Sequence, residues 1–182
     1  MDTPEVEPFA ALLQVPGRSA HDRLLNAACQ LFYQHGINAI GVDTIIEQAG
    51  VAKMSLYRIF GSKSALVAAY LEHRDAYWQH FFQRRLLSLD IPAAEKLLLY
   101  FDLLDEWFQS PGFCGCAFIN ADAQQVTDAT RTIIARHKAN IRELLQDLAA
   151  EAGIEECHEL AAQLYTNDKK HRQTLKYAHI SS

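Results

Sequence analysis

Apolar residues recur three and four positions apart through most of this chain, and no segment alternates apolar with polar residues as a half-buried strand would. Leu24, Leu25, Ala28, Leu31 and Phe32 form one such stripe. Ile133, Ile134, Ile141, Leu144, Leu145 and Leu148 form another. That spacing lines one face of a helix and must be buried against other helices. With 49% hydrophobic residues in 182, the chain has material for a substantial core, and five prolines and eight glycines leave long uninterrupted runs. The fold class expected is all-α.

The breaks in this pattern set the organisation. Pro4, Pro8 and Pro16 keep 1–17 a flexible leader. A helix is expected over 19–35, with Gly36 as its stop. A short helix over 43–48 turns Val42, Ile45, Ile46 and Ala49 inward. Ala49-Gly50-Val51 is a tight turn in which Gly50 can adopt positive φ. A third helix covers 53–60. Gly61-Ser62 breaks the chain, and Ser62 can cap a fourth helix carrying Leu66, Val67, Tyr70, Leu71, Tyr77, Trp78 and Phe81. Pro92 precedes an apolar helix over 93–110, and Ser110-Pro111-Gly112 is a loop signal. A small apolar segment over 113–123 and a long amphipathic helix over 126–152 follow, ended by Gly153. A further helix starts near Glu156. From Thr166 the apolar period stops and 166–182 reads as a polar, disordered tail. The expected units are the leader 1–17, an N-terminal helical domain 18–78, a second helical domain 79–165, and the tail.

Two short helices meeting at a glycine turn form a helix-turn-helix pattern. The second helix presents Lys53, Ser55, Tyr57 and Arg58 while Val51, Leu56 and Phe60 face the core. A helix that enters the major groove needs this division, polar outside and firmly packed inside. Charge agrees with it. The formal total is −5, yet 18–63 holds five cations against three carboxylates, net +2, which leaves −7 on the remainder. A mildly basic head on an acidic body suits a DNA reader with a separate regulatory part.

In the residues from Ile45 to Lys63, with the Ala49-Gly50-Val51 turn, Leu56-Tyr57, Phe60 and Lys63, the chain resembles the DNA-binding motif of TetR-type regulators. Ala27-Ala28, Leu31-Phe32 and Gly36 resemble that family's first helix. The likeness is strong over 18–78. Pro111-Gly112-Phe113 and Gly115-Cys116-Ala117-Phe118-Ile119-Asn120 resemble a segment found in a subset of such regulators. The resemblance implies roles. Thr44 touches a phosphate at the start of the second helix. Lys53, Met54 and Ser55 open the recognition helix. Tyr57 contacts phosphate, Arg58 reads base or backbone, and Lys63 pins the fourth helix to the DNA backbone. Ile59 stands where the family often has histidine, and Met54 where it often has a small residue. The resemblance also implies a cytoplasmic, ligand-responsive repressor. Its partners are operator double-stranded DNA, a small apolar or aromatic effector, and a second copy of the chain. The family usually ends in two long apolar helices that pair with their copies. Here the apolar period stops after Ala161-Ala162-Gln163-Leu164-Tyr165, which leads to the expectation of a truncated or frameshifted end, weakened dimerisation and lowered operator affinity. A fold-retaining helical interaction module is the alternative.

Trp78, Phe101, Trp107, Phe113 and Phe118 are the candidates for lining an effector pocket, and the aromatic set to which they belong is equally readable as plain core. Cys114-Gly115-Cys116 is open to two readings, a thiol sensor or half metal site against two small buried residues; the latter is the commoner use of free Cys. His73, His80 and His137 lack paired ligand spacing and read as ordinary helix residues. There is no Gly-rich phosphate loop, nucleophile elbow or paired His/Glu motif, so neither catalytic residues, nor a metal, nor a cofactor is expected, and the chain is not read as an enzyme. No run approaches the ~20 apolar residues that span a bilayer, and no membrane partner is expected.

Overall fold

The computed structural model describes residues 14–124 and 126–154. Residues 1–13 of the expected leader, the helix expected from Glu156 with its Cys157, and the tail 166–182 lie outside the described residues. Among the described residues every regular element is helical: α1 (Ala20–His35), α2 (Val42–Ala49), α3 (Lys53–Phe60), α4 (Lys63–Trp78), a π-helical turn (Gln79–Arg84), α5 (Arg85–Ser88), α6 (Ala93–Gln109), α7 (Ala117–Asp122) and α8 (Asp128–Glu151).

Local chemistry sets the boundaries of the long helices. Ser19 and Asp22 form a reciprocal capping box at the start of α1. The Ser62 hydroxyl accepts from the Ala65 N–H at the start of α4, as expected, and Thr127 accepts from Thr130 at the start of α8. In the head, α1 packs on α2 and α4 and buries Leu24, Leu25, Ala28, Leu31 and Phe32. Ile45 of α2 and Leu56 of α3 are wholly buried between them. Gly50 closes α2 at φ 62° and ψ 43°, the left-handed conformation that glycine adopts without steric cost. From α1 the Arg23 guanidinium donates to the Gly50 carbonyl at 3.1 Å and so braces the turn.

α4 joins head to body. It packs on α1 and α3 and also on α7 and α8. Its buried positions Leu66, Val67, Tyr70, Leu71, Arg74, Asp75 and Trp78 keep the three-and-four spacing without a gap, so two charged residues fall inside the stripe. The fourth helix expected as one run through Phe81 instead passes from α to π geometry after Trp78. The helix widens there as the Trp78 and Phe82 rings stack, with centroids 4.0 Å apart and planes 19° from parallel. α8 packs on α4, α6 and α7. Two hydrogen bonds tie the head to the segment around α7: the Cys114 N–H donates to the Tyr33 hydroxyl at 3.1 Å, and the Asn38 N–H donates to Gln124 Oε1 at 2.9 Å.

Candidate nucleic-acid interface and effector cavity

The helix-turn-helix is built inward from Leu56. That side chain is fully buried, and removing it to Ala would cost about 2–5 kcal/mol. With Leu56 held, Lys53, Met54, Tyr57 and Arg58 are all exposed, and Met54, Ser55, Tyr57 and Arg58 line one concavity on the outer face of α3. Met54 is 75% exposed, a large apolar side chain open to solvent on that face. Thr44 is exposed in the first turn of α2. Neither α2, capped by Gly41, nor α3, capped by Ala52, has a side-chain cap; the Ser55 N–H donates to the Ala52 carbonyl, and no side chain caps the N–H groups before it.

Two of the expected contacts are engaged within the chain. Lys53 Nζ donates to Asp43 Oδ1 at 2.7 Å, and this bond raises its pKa above the ordinary lysine value. A phosphate would have to compete with Asp43 for that ammonium. Lys63 Nζ donates to the Ile37 carbonyl at 2.8 Å and lies 5.9 Å from the Phe32 ring centroid, and partial burial lowers its pKa. Lys63 therefore closes the corner between α1 and α2 in the DNA-free chain. Asp43 and Arg23 were not among the residues expected here; nothing in their spacing marks a partner ten or twenty-seven positions away.

In the body, Arg74, Tyr77, Trp78, Phe82, Trp107, Cys116, Ala117, Phe118 and His137 surround one cavity. Of the expected lining residues, Trp78, Trp107 and Phe118 are in its wall. Phe101 stands outside it against Tyr100, and Phe113 stands outside it against Trp107 and Phe108. The free space is about 20 Å³, room for a single water, whereas pockets for small organic ligands run to roughly 300–1,000 Å³. The cavity is too narrow for an organic ligand in this conformation.

Its polar wall was not expected. His137 is 3% exposed; its Nδ1 is 2.8 Å from Asp75 Oδ1, and its ring stacks on Phe118 at 3.6 Å. Arg136 reaches the same carboxylate at 3.3 Å and Glu72 at 2.5 Å. Burial alone would push Asp75 up, but bonds to His137 and Arg136 outweigh it and hold Asp75 below the ordinary value. Burial alone would push His137 down, but bonds to Asp75 and Cys116 outweigh it and hold His137 above. Cys116 is buried, and Cys114 is partly exposed. Among the described residues no three His, Cys, Asp or Glu side chains group to hold a metal ion, and no helix is long and apolar enough to cross a membrane.

Comparison with known proteins gives the architecture its relatives. Residues 24–70 match the family model described as bacterial regulatory proteins, tetR family. A curated relative, the transcriptional regulator AcuR of Cereibacter sphaeroides, is 28% identical over 94 residues, which are 52% of this chain and 43% of that protein. The transcriptional repressor NemR of Escherichia coli is 28% identical over 104 residues, 57% of this chain and 52% of that protein. The matched part thus spans only about half the length of these relatives or less. Among solved structures, a TetR-family transcriptional regulator of Streptomyces coelicolor superposes with a TM-score of 0.82 at 26% identity, over 91% of this chain and 87% of that one.

Proposed function

The chain belongs to the TetR family of bacterial regulatory proteins, and from that premise we propose that it is a sequence-specific DNA-binding transcription regulator, a cytoplasmic repressor that releases its operator when a small apolar or aromatic molecule enters the body. The observation that carries this reading is the division of α3, with Leu56 buried and Lys53, Met54, Tyr57 and Arg58 exposed beside two uncapped helix N-termini. Thr44, Lys53, Tyr57 and Lys63 position the motif on phosphates. Met54, Ser55 and Arg58 meet the base edges. The head, 18–78, reads DNA; the body, 79–165, senses the effector and pairs with a second copy, so that two heads stand about one helical turn, ~34 Å, apart.

Retardation of DNA from upstream of the protein's own gene tests the reading. Binding should be specific over an unrelated duplex, and log K should fall linearly with log salt at about 0.9 per phosphate neutralised. Binding that is indifferent to salt, or equal on the unrelated duplex, would refute it. NemR is described as a repressor, which supports repression here. A titration of operator-bound protein with hydrophobic compounds tests release.

A further inference from the structure

Among the described residues the charges around the cavity do not close. Glu72 and Asp75 are the carboxylates; Arg136 bonds to both, and His137 bonds to Asp75. Arg74 is left over. It is 91% buried, since only 9% of it is exposed, and among the described residues it makes no hydrogen bond and no ion pair. Its guanidinium carbon sits 4.6 Å over the Tyr33 ring, a face that attracts a cation but leaves all five N–H donors unused. The Arg74 side chain is thus largely withdrawn from water while its guanidinium, in the cavity wall, has no carboxylate beside it among the described residues. A second donor stands in the same wall: Trp78 is 8% exposed, lines the cavity, and its indole N–H has no acceptor among the described residues. Both groups can only donate. The wall also holds the Tyr77 phenol and the His137 imidazole, and the rest, Phe82, Trp107, Cys116, Ala117 and Phe118, is aromatic or small.

We propose that this cavity takes a small organic monocarboxylate with an aromatic or otherwise flat apolar body, the carboxylate on Arg74 and the indole N–H of Trp78, the body among Trp107, Phe82 and Phe118. The proposal deepens the effector reading above and rests on it for its regulatory meaning. The anion completes a pairing that the described residues leave open, and the planar guanidinium matches a carboxylate's two oxygens. His137 remains committed to Asp75 and is not needed for it.

The test uses the full chain without DNA. Benzoate and phenylacetate are each titrated against their neutral amides, followed by calorimetry and by tryptophan fluorescence. At least one acid should bind about tenfold or more tighter than its amide, the factor expected for one charge-assisted bond. Arg74→Met should erase that preference and keep amide binding. Arg74→Lys, which retains the charge without the fork, should keep part of it. Trp78→Phe should weaken the preferred acid several-fold. Equal affinity of acid and amide in the unmodified protein, a preference that survives Arg74→Met, or no binding of either acid at millimolar concentration overturns the proposal. Operator affinity is measured separately: an acid that binds as expected yet never changes it would refute the regulatory reading and leave the site standing.

Discussion

At the scale of single residues, the outer face of α3 divides into groups free to meet DNA and groups already engaged. Arg58 is exposed and enters no ion pair among the described residues, so none of them competes for it. If it reads a base edge, Arg58→Ala relaxes specificity by about 1–3 kcal/mol at one base position; measured affinities for operator variants should converge there and nowhere else. Lys63 has a double assignment, because its ammonium also satisfies the Ile37 carbonyl. Lys63→Ala is therefore expected to weaken all DNA sequences alike and to lower the melting temperature of the free protein. Unchanged melting would mean that the bond to Ile37 contributes nothing to the corner. Lys53 is different again: Asp43→Asn frees it from its carboxylate and should tighten binding to any duplex while reducing its dependence on sequence.

At the scale of elements, Asp75 and His137 pin α4 to α8 across the core. The pin has a pH signature. His137 titrates above its ordinary 6.5, so its contribution is complete below about pH 6.5 and is lost as pH rises through the raised folded value. Asp75 titrates below its ordinary 3.8, so its contribution is complete above about pH 4 and is lost as pH falls through the depressed value. Thermal melts should show the pair contributing most between about pH 4 and 6.5. Asp75→Asn should flatten the decline on the alkaline side, and a decline of the same slope in that variant would rule the pair out as its source. The helices themselves were legible in the sequence, because a periodic apolar stripe and a Ser or Thr cap act within a few residues: Ser62 and Gly50 do what their neighbours require of them. The exposure of Lys53, Met54, Tyr57 and Arg58 on α3 was legible for the same reason. The Asp75–His137 contact was not, since its partners are 62 positions apart. A clue was present, however. Arg74 and Asp75 keep the spacing of Leu66, Val67, Tyr70 and Leu71, and His137 keeps that of Ile133, Ile134 and Ile141, so charges lay in phase with stripes that had to be buried. The π turn left no such mark, as it coincides with the stacking of Trp78 on Phe82 and holds no glycine or proline.

At the scale of the whole molecule, the path from cavity to DNA-reading head is short. Cys116, Ala117 and Phe118 line the cavity at the start of α7, while Cys114 and Gln124 on either side of that helix bond to Tyr33 and Asn38 of the head. Opening the cavity would push on the same segment that fixes the head, which is the differential contact a ligand needs if it is to favour one arrangement over another. Tyr33→Phe removes the acceptor for the Cys114 N–H and is expected to leave ligand affinity intact while shrinking the ligand's effect on operator affinity; an undiminished effect would exclude this tie from the coupling. The narrowness of the cavity also bears on time. With room for about one water, the core must part before an organic molecule can enter, and the apparent affinity is reduced by the fraction of molecules parted at any instant. In stopped-flow mixing the observed rate should level off at high ligand concentration instead of climbing in proportion to it. The delay between the arrival of a compound and the release of DNA would then be a property of the protein's own breathing, the same for a scarce compound as for an abundant one once the plateau is reached.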